Sequence, residues 1–213
     1  VRSPAEPAAT EPELVVAQGF PALVWRFAEP VRLISSGPYG GGLGERAWVL
    51  NASVRAYYDG DPVGYLRTLA GELGCAGHGT ALMTAVDVTG AVTVTDGPVR
   101  VTVTTGVGQP TYAAEFGGTA VTGERVGTIN ILGSLGVRVS DAGMINAVAT
   151  ATEAKTQALA DAGVPGTGTC TDAVALWCGR EGPEQVYGGP RSAIGAPLAR
   201  AVYRAIRAGL ETT

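Results

Sequence analysis

The stretch VDVTGAVTVTDGPVRVTVTTGVG, residues 86–108, constrains the fold most: valine and threonine alternate on both sides of Asp96-Gly97-Pro98. Side chains of a strand point to opposite faces with a period of two, so this pattern sorts its apolar residues onto one face only as a hairpin. One face of that hairpin is expected to be wetter than the other, and the valine face needs a cover. The rest of the chain supplies candidates for both sheet and cover. LVV, ALVWRF, VRLIS and AWVLNASV read as short strands punctuated by Pro and Gly, and Pro62 opens the helical stretch VGYLRTLAGELG with Asp61 as its N-cap. TINIL reads as a strand, Ser140 or Asp141 caps a long Ala-rich helix ending near Gly163, TDAVALWCG is a buried strand, and IGAPLARAVYRAIRAGL a terminal helix. With no internal repeat or linker visible, the expected fold is a single α/β (mixed α+β) domain over 13–213, with a mixed, largely antiparallel sheet and about three helices packed on it. Residues 1–12, VRSPAEPAATEP, lack periodicity and are expected to be a disordered leader.

Composition then removes whole classes of function. Fifteen basic against nineteen acidic side chains, with no Lys/Arg run, leave no footprint for nucleic acid. Fourteen of the basic residues are Arg, so Lys155 and His78 are the chain's only lysine and histidine. A three-His zinc site or a His-Glu-x-x-His helix is therefore impossible within one chain, and a Ser-His-Asp arrangement would have to use His78 or borrow from another subunit. No metal site is expected. Cys75, Cys170 and Cys178 form neither an even disulfide set nor a C-x-x-C pair, there is no signal-peptide pattern, and no run of about eighteen apolar residues occurs. A cytoplasmic protein without a membrane partner is expected.

Several places carry residues able to do chemistry. The loop SSGPYGGGLGE (35–45) holds five glycines after an expected strand, so the backbone at Gly40 and Gly41 either approaches a ligand closely or simply closes a flexible turn. Asn51 and Asn130 sit in apolar strands, where a buried amide without partners costs about 1–3 kcal/mol. Each is either bonded to a nearby turn or strand end, or is a donor aimed at a substrate carbonyl or developing oxyanion. On a helix, Val148, Thr152, Lys155 and Leu159 share an apolar stripe, and Asn146, Thr150, Glu153 and Gln157 a polar face. Lys155 thus snorkels or works in a site, and Glu153, two residues away, points nearly the opposite way. GTGTCTD (166–172) interleaves threonine with glycine and ends in Asp172. That carboxylate either bonds its own turn or orients or deprotonates Thr169, Cys170, Thr171 or a water. His78, in GCAGHGTAL, is read as a loop residue able to titrate near neutral pH.

Taken in order, SSGPYGGG, WVLN, LMTAVDV, TTGVGQPTYAA, GTINI, TATEAKTQAL, GTGTCTDAV and YGGPRSAIGAPLARAVY resemble the CbiZ family of adenosylcobinamide amidohydrolases over residues 30–210. The resemblance implies corrinoid salvage: cleavage of the amide joining aminopropanol to the corrin ring of adenosylcobinamide, giving adenosylcobyric acid. It implies no separate cofactor, since the cobalt arrives with the substrate. Catalysis is then expected from Glu153, Lys155, Asp172 and Thr171: Glu153 or Asp172 activates water or a Thr hydroxyl, and Asn51, Asn130 or Lys155 stabilises the oxyanion. Gly40, Gly41, Asn51, His78, Asp87, Asn130 and Thr169 are expected around the substrate, with Asp172 and Glu153 facing one pocket. The chain departs from the family pattern at GHGTALMTAVDV, where His78, Thr80 and Ala81 replace residues of a pocket-lining loop, and at Cys170. Two alternatives follow: a corrinoid-type binding protein without hydrolysis, or a relative recruited to another amide or acyl-transfer step. The expected partner is the corrinoid alone, and a homo-oligomer is left open.

Overall fold

The computed structural model describes residues 11–56, 58–115 and 127–211. In chain order its elements are β1 (Glu13–Ala17), β2 (Phe20–Ser35), β3 (Gly42–Ser53), α1 (Pro62–Glu72), β4 (Gly79–Thr84), a 3-10 turn (Val88–Gly90), β5 (Val92–Asp96), β6 (Val99–Thr105), β7 (Ile129–Ser134), α2 (Asp141–Asp161), β8 (Ala173–Cys178) and α3 (Gly195–Glu211). The strands form one mixed sheet in the order β4-β3-β2-β8-β7-β6-β5, with β1 on β2. Only β3–β4 and β7–β8 are parallel, and each of these pairs is joined through a helix, α1 or α2, as a parallel crossover requires. The mixed, largely antiparallel sheet with three helices is the expected fold class.

Alternation along the strands decides what faces what. In β8, Ala173, Ala175 and Trp177 join Leu23, Trp25, Val49, Leu82 and Leu132 in one core, whereas Val174, Leu176 and Cys178 lie under α2 and α3 in another. A third core packs α1 through Leu66 and Leu69 onto the other face of β2, β3 and β4. The first of these cores contains side chains of β3, β4, β7 and β8, strands far apart in the sheet order, so the sheet is curled enough to bury one face against itself. That curl explains a departure from expectation in the Val/Thr hairpin. β5 has the wetter face its pattern implies, but Thr102 and Thr104 of β6 are buried as well as Val101 and Val103.

The helix signals are local and hold. The Asp61 carboxylate accepts from Val63 N at 3.0 Å and the Ser140 hydroxyl accepts from Gly143 N at 3.1 Å, each satisfying an otherwise orphaned first-turn donor. Two readings are corrected. ALVWRF and VRLIS belong to one strand, β2, whose register shifts between Arg26 and Val31; Pro30 offers no N–H there, and the shift absorbs its loss. GTALMT, read as part of a loop around His78, is strand β4, parallel to β3. The connectivity also repeats: β1-β2-β3-α1-β4 and β5-β6-β7-α2-β8 share two antiparallel pairings followed by a parallel crossover, although their residues show no repeat. Of the stretch expected as a leader, residues 1–10 lie outside the described residues; Glu11 forms an ion pair with Arg100. No helix among the described residues is long and apolar enough to cross a membrane.

The hairpin is tied to α3 by Asp96, 16% exposed, which accepts from Arg200 at 2.6 Å and Arg204 at 2.7 Å. The hydrogen bonds from Arg200 hold its carboxyl below the usual carboxylate range. A depressed folded value contributes stability that is present above the unfolded value, near about pH 4, and is lost as pH falls through the folded one. Asp96→Asn should lower the urea midpoint at neutral pH, and its deficit against the wild type should shrink as the pH falls from about 4 through the folded value.

Candidate active site

Helix α2 turns Met144, Ala147, Ala151, Ala154 and Ala158 into the core, and the same periodicity carries Lys155 beneath the loop that leads into β8. Lys155 is 8% exposed, and its ammonium lies 2.5 Å from Asp172 Oδ2. Asp172 accepts from three other donors: Ile129 N (2.9 Å) and Thr169 Oγ1 (2.6 Å) on Oδ1, and Thr169 N (3.0 Å) on Oδ2. The carboxylate is thus oriented by the first residue of β7, by its own loop and by α2. Lys155 has no other partner among the described residues, so two of its three ammonium hydrogens have no acceptor there. Gly168 seals the pair, since a Cβ there would sit 2.4 Å from both Lys155 Nζ and Asp172 Oδ2. The loop itself is held by the TTGVGQPTYAA segment: Thr111 N donates to Gly168 O and Thr167 N to Thr111 O, each at 2.8 Å.

A hydroxyl bonded to a carboxylate, with that carboxylate paired to a cation, can activate an oxygen nucleophile and stabilise the oxyanion it creates. Thr169, expected at the substrate, is the hydroxyl on Asp172. Thr171, expected in catalysis, meets Thr128 Oγ1 at 2.6 Å and Gly127 O at 3.3 Å. Glu153 is not bonded to this group. It lines a groove of about 560 Å³ between α2 and α3 with Gln157, Pro190, Arg200 and Tyr203, because two residues along a helix turn a side chain to the far side. Two placements on α2 also differ from the helical-wheel reading: Thr150 is buried, donating to Gly188 O at 2.8 Å, and Thr152 is exposed, its hydroxyl returning to Val148 O. The neighbouring helix and loop, invisible to a wheel, decide both.

The remaining expected residues are dispersed. Asn51 and Asn130 are fully buried on the concave face: Asn130 Nδ2 donates to Asn51 Oδ1 (2.8 Å) and Met83 O (3.1 Å), and Asn51 Nδ2 to Thr104 Oγ1 (3.3 Å). Asn130 Oδ1 is buried with no hydrogen-bond partner. Gly40 and Gly41 lie where the glycine-rich loop folds back on β4, Tyr39 bridging Ala81; a Cβ at Gly40, whose φ is +62°, would meet Gly79 O at 1.9 Å. Asp87 caps the 3-10 turn, accepting from Thr89 N and Oγ1, which holds its carboxyl below the usual range. The exposed His78 meets the fold through its carbonyl, which accepts from Ala47 N. Burial pushes the Cys75 and Cys178 thiols up, away from thiolate chemistry. Tyr112, next to Thr111, is 54% exposed and was not singled out by the sequence reading.

Gly168→Ala should force Lys155 and Asp172 apart and cost about 1–3 kcal/mol of unfolding free energy in urea titration. Ala at Gly71, which has nothing within 4 Å, should cost nothing.

The family model described as adenosylcobinamide amidohydrolase (CbiZ) matches residues 8–213. A curated adenosylcobinamide amidohydrolase of Methanosarcina mazei is 32% identical over 181 residues, covering 80% of this chain and 86% of that protein. One from Halobacterium salinarum is 36% identical over 121 residues, covering 54% of this chain and 52% of that protein. Among solved structures, the PH0078 protein from Pyrococcus horikoshii OT3 aligns over 94% of this chain and 82% of its own, with a TM-score of 0.42 and 9% identity. The match across nearly the whole chain, together with a relative of similar length, places this protein in the CbiZ family of adenosylcobinamide amidohydrolases.

Proposed function

We propose that this protein hydrolyses the amide joining aminopropanol to the corrin ring of adenosylcobinamide, with Thr169, Asp172 and Lys155 as its chemical centre. The observation that carries the reading is the buried ammonium of Lys155, with two free hydrogens, beside a carboxylate that already accepts a hydroxyl proton at 2.6 Å. In this mechanism Thr169 Oγ1 attacks the amide carbonyl carbon as its proton passes to Asp172, and Lys155 donates to the carbonyl oxygen as it becomes an oxyanion. Collapse breaks the C–N bond, and the proton on Asp172 goes to the departing aminopropanol nitrogen. Water then hydrolyses the Thr169 ester, releasing adenosylcobyric acid and returning the proton to Thr169. The reaction is written without a resident metal or cofactor, the cobalt being part of the substrate, and the three free cysteines suit a reducing, cytoplasmic setting.

The departures at His78, Thr80 and Ala81 lie in and before β4, where Thr80 Oγ1 donates to Tyr39 O and Ser35 Oγ. They lie outside the Lys155–Asp172 contact, so they give no support to a binding protein that has lost hydrolysis.

Lys155→Met, Asp172→Asn and Thr169→Val should each lower the single-turnover rate of adenosylcobyric acid formation about 100-fold or more, the scale of losing a general base or oxyanion donor. Wild-type rates in folded Lys155→Met and Asp172→Asn would sink the assignment, and a fast Thr169→Val would replace the ester route by direct attack of water. EDTA should leave turnover unchanged; a loss restored by one divalent ion would show that a metal is required.

A further inference from the structure

The Lys155 and Asp172 side chains are 11% and 12% exposed, so only a slender part of a substrate reaches them. In adenosylcobinamide the scissile amide lies on an arm of the macrocycle, and the macrocycle itself must rest outside, against the protein surface beside the pair. Beside the pair runs the strip Pro110–Glu115, which is bonded to the loop carrying Thr169 at Thr111 and Ala113 and closed on itself by a turn at Tyr112–Glu115. Thr111 pairs with Gly168, Ala113 N donates to Thr167 Oγ1 at 3.0 Å, and Glu115 N donates to Tyr112 O at 3.2 Å. Gly166 lets the two strips approach, since a Cβ there would lie 2.8 Å from Thr111 N. On this rigid strip Tyr112 is 54% exposed and has no ring contact or hydrogen-bonding side chain as partner among the described residues. An exposed aromatic on a fixed backbone, one residue from Thr111, which is bonded to Gly168 beside the ion pair, carries a large apolar contact area at little entropic cost.

We propose that Tyr112 is a substrate-binding residue, its ring forming the surface on which the corrin macrocycle rests while the amide arm enters toward Lys155 and Asp172. The inference rests on the assignment of that pair as the chemical centre. It makes Tyr112 a determinant of affinity and of selection for a macrocyclic amide over a small one, acting through its ring and not its hydroxyl.

The test compares Tyr112→Ala, Tyr112→Phe and, as control, Tyr187→Ala, which removes another exposed tyrosine, 72% exposed and beside the start of α2. Steady-state kinetics with adenosylcobinamide give KM and kcat, and titration of the corrinoid visible absorbance against the same substitutions in an Asp172→Asn background gives Kd without turnover. Tyr112→Ala should raise KM and Kd about tenfold with kcat within about twofold, while Tyr112→Phe and Tyr187→Ala stay within about twofold of wild type throughout. Cobinamide lacking the adenosyl group should lose the same factor in Kd, since the contact is to the ring. Unchanged Kd in Tyr112→Ala overturns the inference, as does an equal loss in Tyr112→Phe, which would assign the effect to the hydroxyl. These failures differ from failure of the underlying assignment, which would appear as full activity in Lys155→Met and Asp172→Asn.

Discussion

Asp172 joins three pieces of chain that share no local reason to meet. Its four hydrogen bonds come from the start of β7, from the loop before β8 and from the side of α2, so the geometry of the centre is set where these elements converge. A buried ion pair is poor evidence for stability, because desolvating both partners offsets much of their attraction. Removing either partner, however, leaves the other buried and uncompensated. An apolar pair of similar volume would serve packing at least as well, so the charges are explained by chemistry more readily than by folding.

The second joining contact is amide to amide. Asn51 in β3 and Asn130 in β7 occupy corresponding strands of the two β-β-β-α-β units and meet on the concave face, where Met83 O and Thr104 Oγ1 complete the network. Asn130 uses both amide hydrogens in this clasp and leaves its carbonyl oxygen unsatisfied, a cost of about 1–3 kcal/mol that a leucine would avoid. Because Asn130 pairs with Ala173 in register, the clasp fixes the first rung of the β7–β8 ladder, immediately beside Asp172.

What was legible in the sequence was whatever a few neighbouring residues decide. The Val/Thr hairpin, the Asp61 and Ser140 caps, the end of α2 and the alternation of β8 all follow from periodicity or from one side chain meeting a nearby backbone. The merging of two expected strands into β2 depended on how the register absorbs Pro30, and β4 on a partner strand about thirty residues earlier. At the site, Lys155, Asp172 and the loop between them were identifiable because charge on an apolar stripe and a carboxylate before a buried strand are both costly arrangements. Which threonine meets Asp172 was not, since the turn from 169 to 172 decides it and nothing in the letters distinguishes Thr169 from Thr171. Glu153 was misplaced relative to Asp172 because a helical wheel gives directions around α2 and not the identity of the neighbour on each side.

The repeated connectivity sets two loops in equivalent positions. The loop between α1 and β4, ending in His78, is the topological counterpart of the loop between α2 and β8, ending in Asp172. In the first, the imidazole has no partner among the described residues and α1 supplies no cation to it; in the second, α2 supplies Lys155. The two corners are thus equivalent in connectivity and different in content, since only the second brings a carboxylate and an ammonium together.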